Sequence, residues 1–306
     1  MINKSFYHST LIETGNGFQY TFPPQLNLLS SSNLYSNNPW ITICSVLEHL
    51  KQGDFSKLEH ITNLMKKTDT ADVWDGCEVL LSYAAPYSLI SKMVKDFERE
   101  LFQDCHIGVQ AHISRLLARS MNLEYIPIIL DIYQLIDSQD QLISLEKNIS
   151  FTLEEEDSTI YEGPKCKRIE EDYGLGNQIP EFLKGETKLI YDTNEYVRIV
   201  SQIYTELKNK YEYKENISIF EGNLFSVKAF LKKLLNSLRK NKNTERISVS
   251  RMVFEATTGK NCNNFYKDGV LQPIAAVAIV EDFLESGEVE KYESGVRYFF
   301  GHRIPD

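Results

Sequence analysis

Apolar residues recur at helical spacing through most of this chain. Ile43, Val46, Leu47 and Leu50 share one helical face, Gly53 marks a stop, and Phe55, Leu58, Ile61, Leu64 and Met65 restart the period with Asp54 as a cap. Near the amino terminus the period is two instead. After an Asn16-Gly17 turn signal, Phe18, Tyr20 and Phe22 alternate with polar residues, which predicts a short β-hairpin. The polar stretch SSSNLYSNNP then reads as a linker into a first helix at about residue 40. Helical signals return late in the chain: Val197, Val200, Ile203, Tyr204 and Leu207 form one stripe, and Val227, Phe230, Leu231, Leu234, Leu235 and Leu238 form another. A further helix stops at Gly259, and the last begins at Pro273 and ends at Gly287.

Two central segments repeat one plan. DVWDGCEVLLSYAAPYSLISKMVKDF and GVQAHISRLLARSMNLEYIPIILDIY superimpose at an offset of 36 (113 − 77). Cys77 then matches Ile113, Leu80 and Leu81 match Leu116 and Leu117, Ile90 matches Ile126, Met93 matches Ile129, Val94 matches Leu130 and Phe97 matches Tyr133. A repeat of two amphipathic helices, neither able to cover its own apolar face, is the mark of an α-solenoid, and the pattern resembles HEAT repeats. A bundle with the same leucine spacing is the competing reading. The expected fold class is mainly all-α: an N-terminal hairpin and linker over 1–38, HEAT-like helical repeats over 39–145, an acidic irregular connector over 146–190 and a helical C-terminal region over 191–306 packed on the repeats.

Composition narrows the function classes. The 306 residues are 42% hydrophobic and 25% charged, as expected of a chain that folds. A formal charge of −10 argues against direct binding to nucleic acid and suits a basic partner. Five cysteines without a C-x-x-C pair read as reduced thiols. Neither a secretion signal nor a membrane span is evident, so the expected location is the cytoplasm.

Catalytic signatures are missing: there is no H-E-x-x-H, nucleophile elbow, P-loop or dinucleotide fingerprint. His106 and His112 lie six apart, which is not the spacing of a metal pair on one helical face. No catalytic residue, metal or cofactor is expected. The connector holds two acidic clusters, Glu154, Glu155, Glu156 and Asp157, then Glu170, Glu171 and Asp172. They are the candidate partner-binding residues, against the plainer reading of a solvated loop. Lysines around Lys228, Lys232 and Lys233 read as a solvated helix face with internal ion pairs. The tail, GVRYFFGHRIPD, offers His302 as a catalytic candidate, but burial of Tyr298, Phe299 and Phe300 in a docked segment explains more of its residues.

The F-E-A-x-T-G at Phe254 to Gly259, the F-Y-x-D-G at Phe265 to Gly269, the alanine-rich helix and the terminal R-Y-F-F-G-H-R-I-P resemble a family of predicted immunity proteins from bacterial polymorphic toxin systems, most strongly over residues 220 to 306. The resemblance implies a non-catalytic inhibitor that binds and neutralises a cognate toxin domain, and it transfers no functional residue. The alternative is a HEAT-like scaffold or adaptor for an endogenous partner, and an enzyme of unrecognised type is third.

Overall fold

The computed structural model describes residues 18, 27–153, 168–169, 188–189, 193–212, 216–240, 244–267 and 269–306. The chain is mostly helical, and its sheets are two-stranded. The predicted amino-terminal hairpin lies outside the described residues apart from Phe18, which is buried.

The first helix, α1 (Pro39–Lys51), starts where the sequence places it: Pro39 occupies the first turn and the Asn38 side chain accepts the Trp40 N–H at 3.0 Å. The polar stretch before it carries a 3-10 turn at Ser31–Tyr35 that packs on α1 and buries Leu34. Asp54 caps the next turn by accepting from Ser56 N–H, and α2 (Leu58–Met65) follows. Then come α3 (Ala71–Ala84), α4 (Tyr87–Asp96), the short α5 (Glu98–Phe102), α6 (Ile107–Arg119), α7 (Ile126–Tyr133) and α8 (Gln139–Leu153). In space α1, α3, α6 and α8 pack in succession, each on the next, while α2 joins α1 to α3 and α7 lies on α6 and α8.

The residues paired at offset 36 occupy equivalent places in this arrangement. Cys77, Leu80 and Leu81 on α3 and Ile113, Leu116 and Leu117 on α6 are all buried. So are Ile90, Met93 and Phe97 in and just after α4, and Ile126, Ile129, Leu130 and Tyr133 on α7, with Val94 half-buried. The last helix of the row departs from the sequence reading. Helix α8 runs on to Leu153, past the expected boundary at residue 145, because Ile149, Phe151 and Leu153 continue its buried face. Within the expected irregular connector, β1 (Arg168–Ile169) and β2 (Lys188–Leu189) pair antiparallel.

In the carboxyl half, α9 (Thr193–Lys210) packs on α7, and Tyr196 stacks on Tyr133 with ring centres 4.7 Å apart. The β-hairpin β3–β4 (Ile219–Phe220 and Asn223–Leu224) leads into α10 (Val227–Lys240), whose six stripe residues are all buried. Next come α11 (Thr244–Thr258), the hairpin β5–β6 (Tyr266–Lys267 and Val270–Leu271), α12 (Pro273–Glu285) and a closing hairpin β7–β8 (Tyr298–Phe299 and His302–Arg303). Helix α10 lies against both α11 and α12, and α11 packs on α3 and on β7. One continuous apolar core reaches from Phe18 to Ile304. Among the described residues no helix is long and apolar enough to cross a membrane.

Candidate functional site

The acidic clusters singled out from the sequence, Glu154 to Asp157 and Glu170 to Asp172, lie outside the described residues. The described structure instead gathers charge in a buried seam between α3 and α6. Glu78, 1% exposed, sits on the apolar face of α3. Across from it α6 presents His112, Arg115 and Arg119, which the i, i+3, i+7 spacing places on one face. Glu78 Oε2 accepts from Arg115 Nη2 at 2.7 Å and from its Nε at 3.0 Å, and Glu78 Oε1 accepts from Arg119 Nη1 at 3.0 Å. Arg115 Nη2 also reaches Asp75 at 3.0 Å, and Arg119 Nε donates to the Asn148 side chain of α8 at 3.1 Å. His112 Nδ1 lies 2.9 Å from both Glu78 Oε2 and Arg115 Nη2, so it donates to the carboxylate in one tautomer and accepts from the guanidinium in the other.

Burial alone would push the Glu78 carboxyl up, but the His112 hydrogen bond and the charges of Arg119 and Arg115 outweigh it and hold the group below its ordinary value. Asp75 moves the opposite way: burial raises it, and the neighbouring Glu78 charge adds to the rise. Asp75, Glu78 and His112 do bring ligand atoms within 4.8 Å of one another, a spacing a metal ion can use. Two guanidinium groups already cover both oxygens of Glu78, and a cation would have to displace them against their charge. The geometry therefore suits a clamp across α3, α6 and α8 better than a metal centre.

Other buried charges are also consumed internally. On α11, Arg251 pairs with Glu255 at 2.9 Å, and Glu255 accepts from the Phe18 N–H at 3.2 Å. Arg246 meets Glu221 at 3.2 Å and lies over the Phe151 ring, 4.9 Å from its centre. Arg297 donates to the carbonyls of Ser82 at 2.6 Å and Ala85 at 2.8 Å, where α3 ends, and stacks over Tyr87. On α10 three of the five basic residues meet carboxylates: Lys228 pairs with Glu290, Lys233 with Glu221 and Arg239 with Glu281.

The aromatic tail is docked. Tyr298 and Phe299 are buried, and the Phe18 ring meets Phe299 edge-on at 5.4 Å. His302 and Arg303 are exposed on β8. A cleft of about 250 Å³ opens beside them, lined by Tyr87, Ile217, Arg297, Arg303, Ile304 and Asp306 among others, and His302 is not part of its wall. Its volume is below the roughly 300 Å³ at which small-molecule sites begin. Of its two arginines, Arg297 is spent on backbone carbonyls and Arg303 faces Asp306 at 3.8 Å.

In comparisons with family models, curated proteins and solved structures, nothing matches this chain.

The sequence did carry a signal for the seam. Asp75 and Glu78 stand three apart on a largely apolar helix, facing a helix with a His-Arg-Arg stripe at i, i+3, i+7. Histidine spacing alone does not reveal it, because the partners lie on different helices.

Proposed function

We propose that this chain is an immunity protein, a non-catalytic inhibitor that binds a cognate bacterial toxin domain and neutralises it in the cytoplasm. The observation that carries the reading is where the residues of the resemblance sit. Phe254, Ala256 and Phe265 are buried, and Phe300 and Gly301 donate their N–H groups to the carbonyls of Ala256 and Thr257. The end of α11 and the aromatic tail thus build one joint, with Phe300 also lying against Gly259. A family held together by architecture at its motif positions works through its surface, and the chain as a whole carries a formal charge of −10.

On this reading the row α1, α3, α6, α8 with its outer helices is a short HEAT-like solenoid, a body suited to presenting an extended face to another protein. The clusters Glu154 to Asp157 and Glu170 to Asp172 are proposed to meet a basic face of the toxin, steering its approach. Co-expression supplies the test. The toxin domain encoded beside this chain's gene should arrest growth alone and permit growth when the chain is present. Growth arrest in both cases removes the reading. The adaptor alternative draws on the same helical row, and it predicts no protection.

A further inference from the structure

Helix α12 is built on two faces. Ala276, Val280 and Phe283 turn inward, where the helix lies against α10. Ile274, Ala278, Asp282 and Glu285 turn outward, and the helical period places them on a single stripe. The stripe is apolar over its first turns: Ile274 is 88% exposed, and Val270, four residues earlier on β6, is 64% exposed. Its far end is acidic. Glu281, Glu288 and Glu290 are all satisfied by Arg239, Lys291 and Lys228, whereas Asp282 and Glu285 have no ion pair among the described residues.

Neither half of this stripe helps the chain fold. A large apolar side chain left almost wholly in water gains nothing from the core. Carboxylates at a helix C-terminus face the negative end of the macrodipole, which disfavours them. Surfaces arranged against local stability are explained by what they contact, and here the contact must supply apolar groups at one end and positive charge at the other. We infer that the outer stripe of α12 with Val270 is a docking surface for a basic segment of the toxin domain that presents apolar side chains ahead of its lysines or arginines. The inference rests on the inhibitor reading and adds a contact face to the acidic clusters proposed there.

The experiment measures the affinity of the full chain for the toxin domain encoded beside its gene, at several salt concentrations. Ile274→Asp places an acid in the first turn of α12, where the helix dipole favours it, so the variant stays folded. It should weaken binding by at least about tenfold, as loss of an interface anchor does. The control Ile107→Asp, at another exposed site, should leave affinity unchanged. Asp282→Lys with Glu285→Lys should slow association and flatten its salt dependence. Unchanged affinity in Ile274→Asp overturns the docking surface and leaves the inhibitor reading standing. No binding by the wild-type chain overturns both. Sedimentation showing that wild type pairs with itself and that Ile274→Asp does not would assign the stripe to a second copy, against the inference.

Discussion

Two hairpins in this molecule do the same backbone work with opposite side chains. In β3–β4 the turn residues Glu221 and Gly222 have φ of 49° and 68°, and their N–H groups donate to the Phe151 and Thr152 carbonyls at 2.8 and 2.9 Å. In β7–β8 the turn residues Phe300 and Gly301 have φ of 48° and 78°, and they donate to Ala256 and Thr257 at 2.6 and 2.8 Å. Each turn thereby satisfies carbonyls that the end of a helix leaves open, α8 in one case and α11 in the other. The side chains then diverge. A buried ring precedes each turn, Phe220 in one and Phe299 in the other, but Glu221 ties its turn to Lys233 and Arg246 while Phe300 adds its ring to the packing beside Phe299. The lesson is that left-handed turn geometry makes the cap, and the side chain beside the glycine decides whether it is held by charge or by burial.

That difference should be visible in how each cap breaks. The largest effect is expected at the apolar one: Phe299→Ala removes a fully buried ring and should cost about 3–5 kcal/mol, read as a fall in denaturant midpoint. At the polar cap, Glu221→Ala removes the buried carboxylate that Arg246 and Lys233 both meet and should cost about 3 kcal/mol. Phe299→Ala should be insensitive to salt, since the contacts it deletes carry no charge.

A third test separates the capped helices by pH. Glu146 of α8, 2% exposed, accepts from the Tyr133 hydroxyl at 2.5 Å, and burial pushes its carboxyl up to about 7. The folded state therefore holds this proton more tightly than the unfolded chain. The associated stability is complete below the ordinary carboxyl range and is lost as pH rises through 7, in total about 3 kcal/mol. Glu146→Gln should abolish that loss, and a melting series from pH 5 to 8 in both proteins measures it. A wild-type profile no steeper than the variant's would contradict the assignment. The smallest effect concerns the shared device itself. Gly301→Ala imposes a side chain on a positive φ and should cost about 1–2 kcal/mol. Gly222→Ala should cost more, because its Cβ would also meet the Leu153 carbonyl oxygen at 2.9 Å, and equal losses in denaturant midpoint would contradict that crowding.

Much of the helical architecture was legible in the sequence because it is periodic. The offset of 36 pairs residues that prove buried except for half-buried Val94, Asp54 caps as its side-chain chemistry predicts, and Pro273 opens α12. What was not legible depends on distant partners. The Glu221 turn shows no hairpin signal of its own beyond a glycine, and its cap becomes apparent only when α8 arrives beside it. The helical run of α8 past residue 145 was not legible because its last turns mix Asn148, Ser150 and Thr152 with apolar residues, and these polar side chains bond carbonyls or an arginine within the fold. The seam around Glu78 was missed for the same reason, since half of its charge lies on each of two helices. The resemblance at the carboxyl end pointed to residues that the fold uses as a joint.

Titration of the adjacent gene's product, if it is the toxin that the proposal requires, with this chain tests the central claim most directly. A stoichiometric inhibitor abolishes toxin activity at one equivalent, leaves activity in proportion at lower ratios, and shows no further loss with time. Progressive inactivation by a small fraction of an equivalent would mark the chain as a catalyst, and undiminished activity at excess would remove the toxin as its partner.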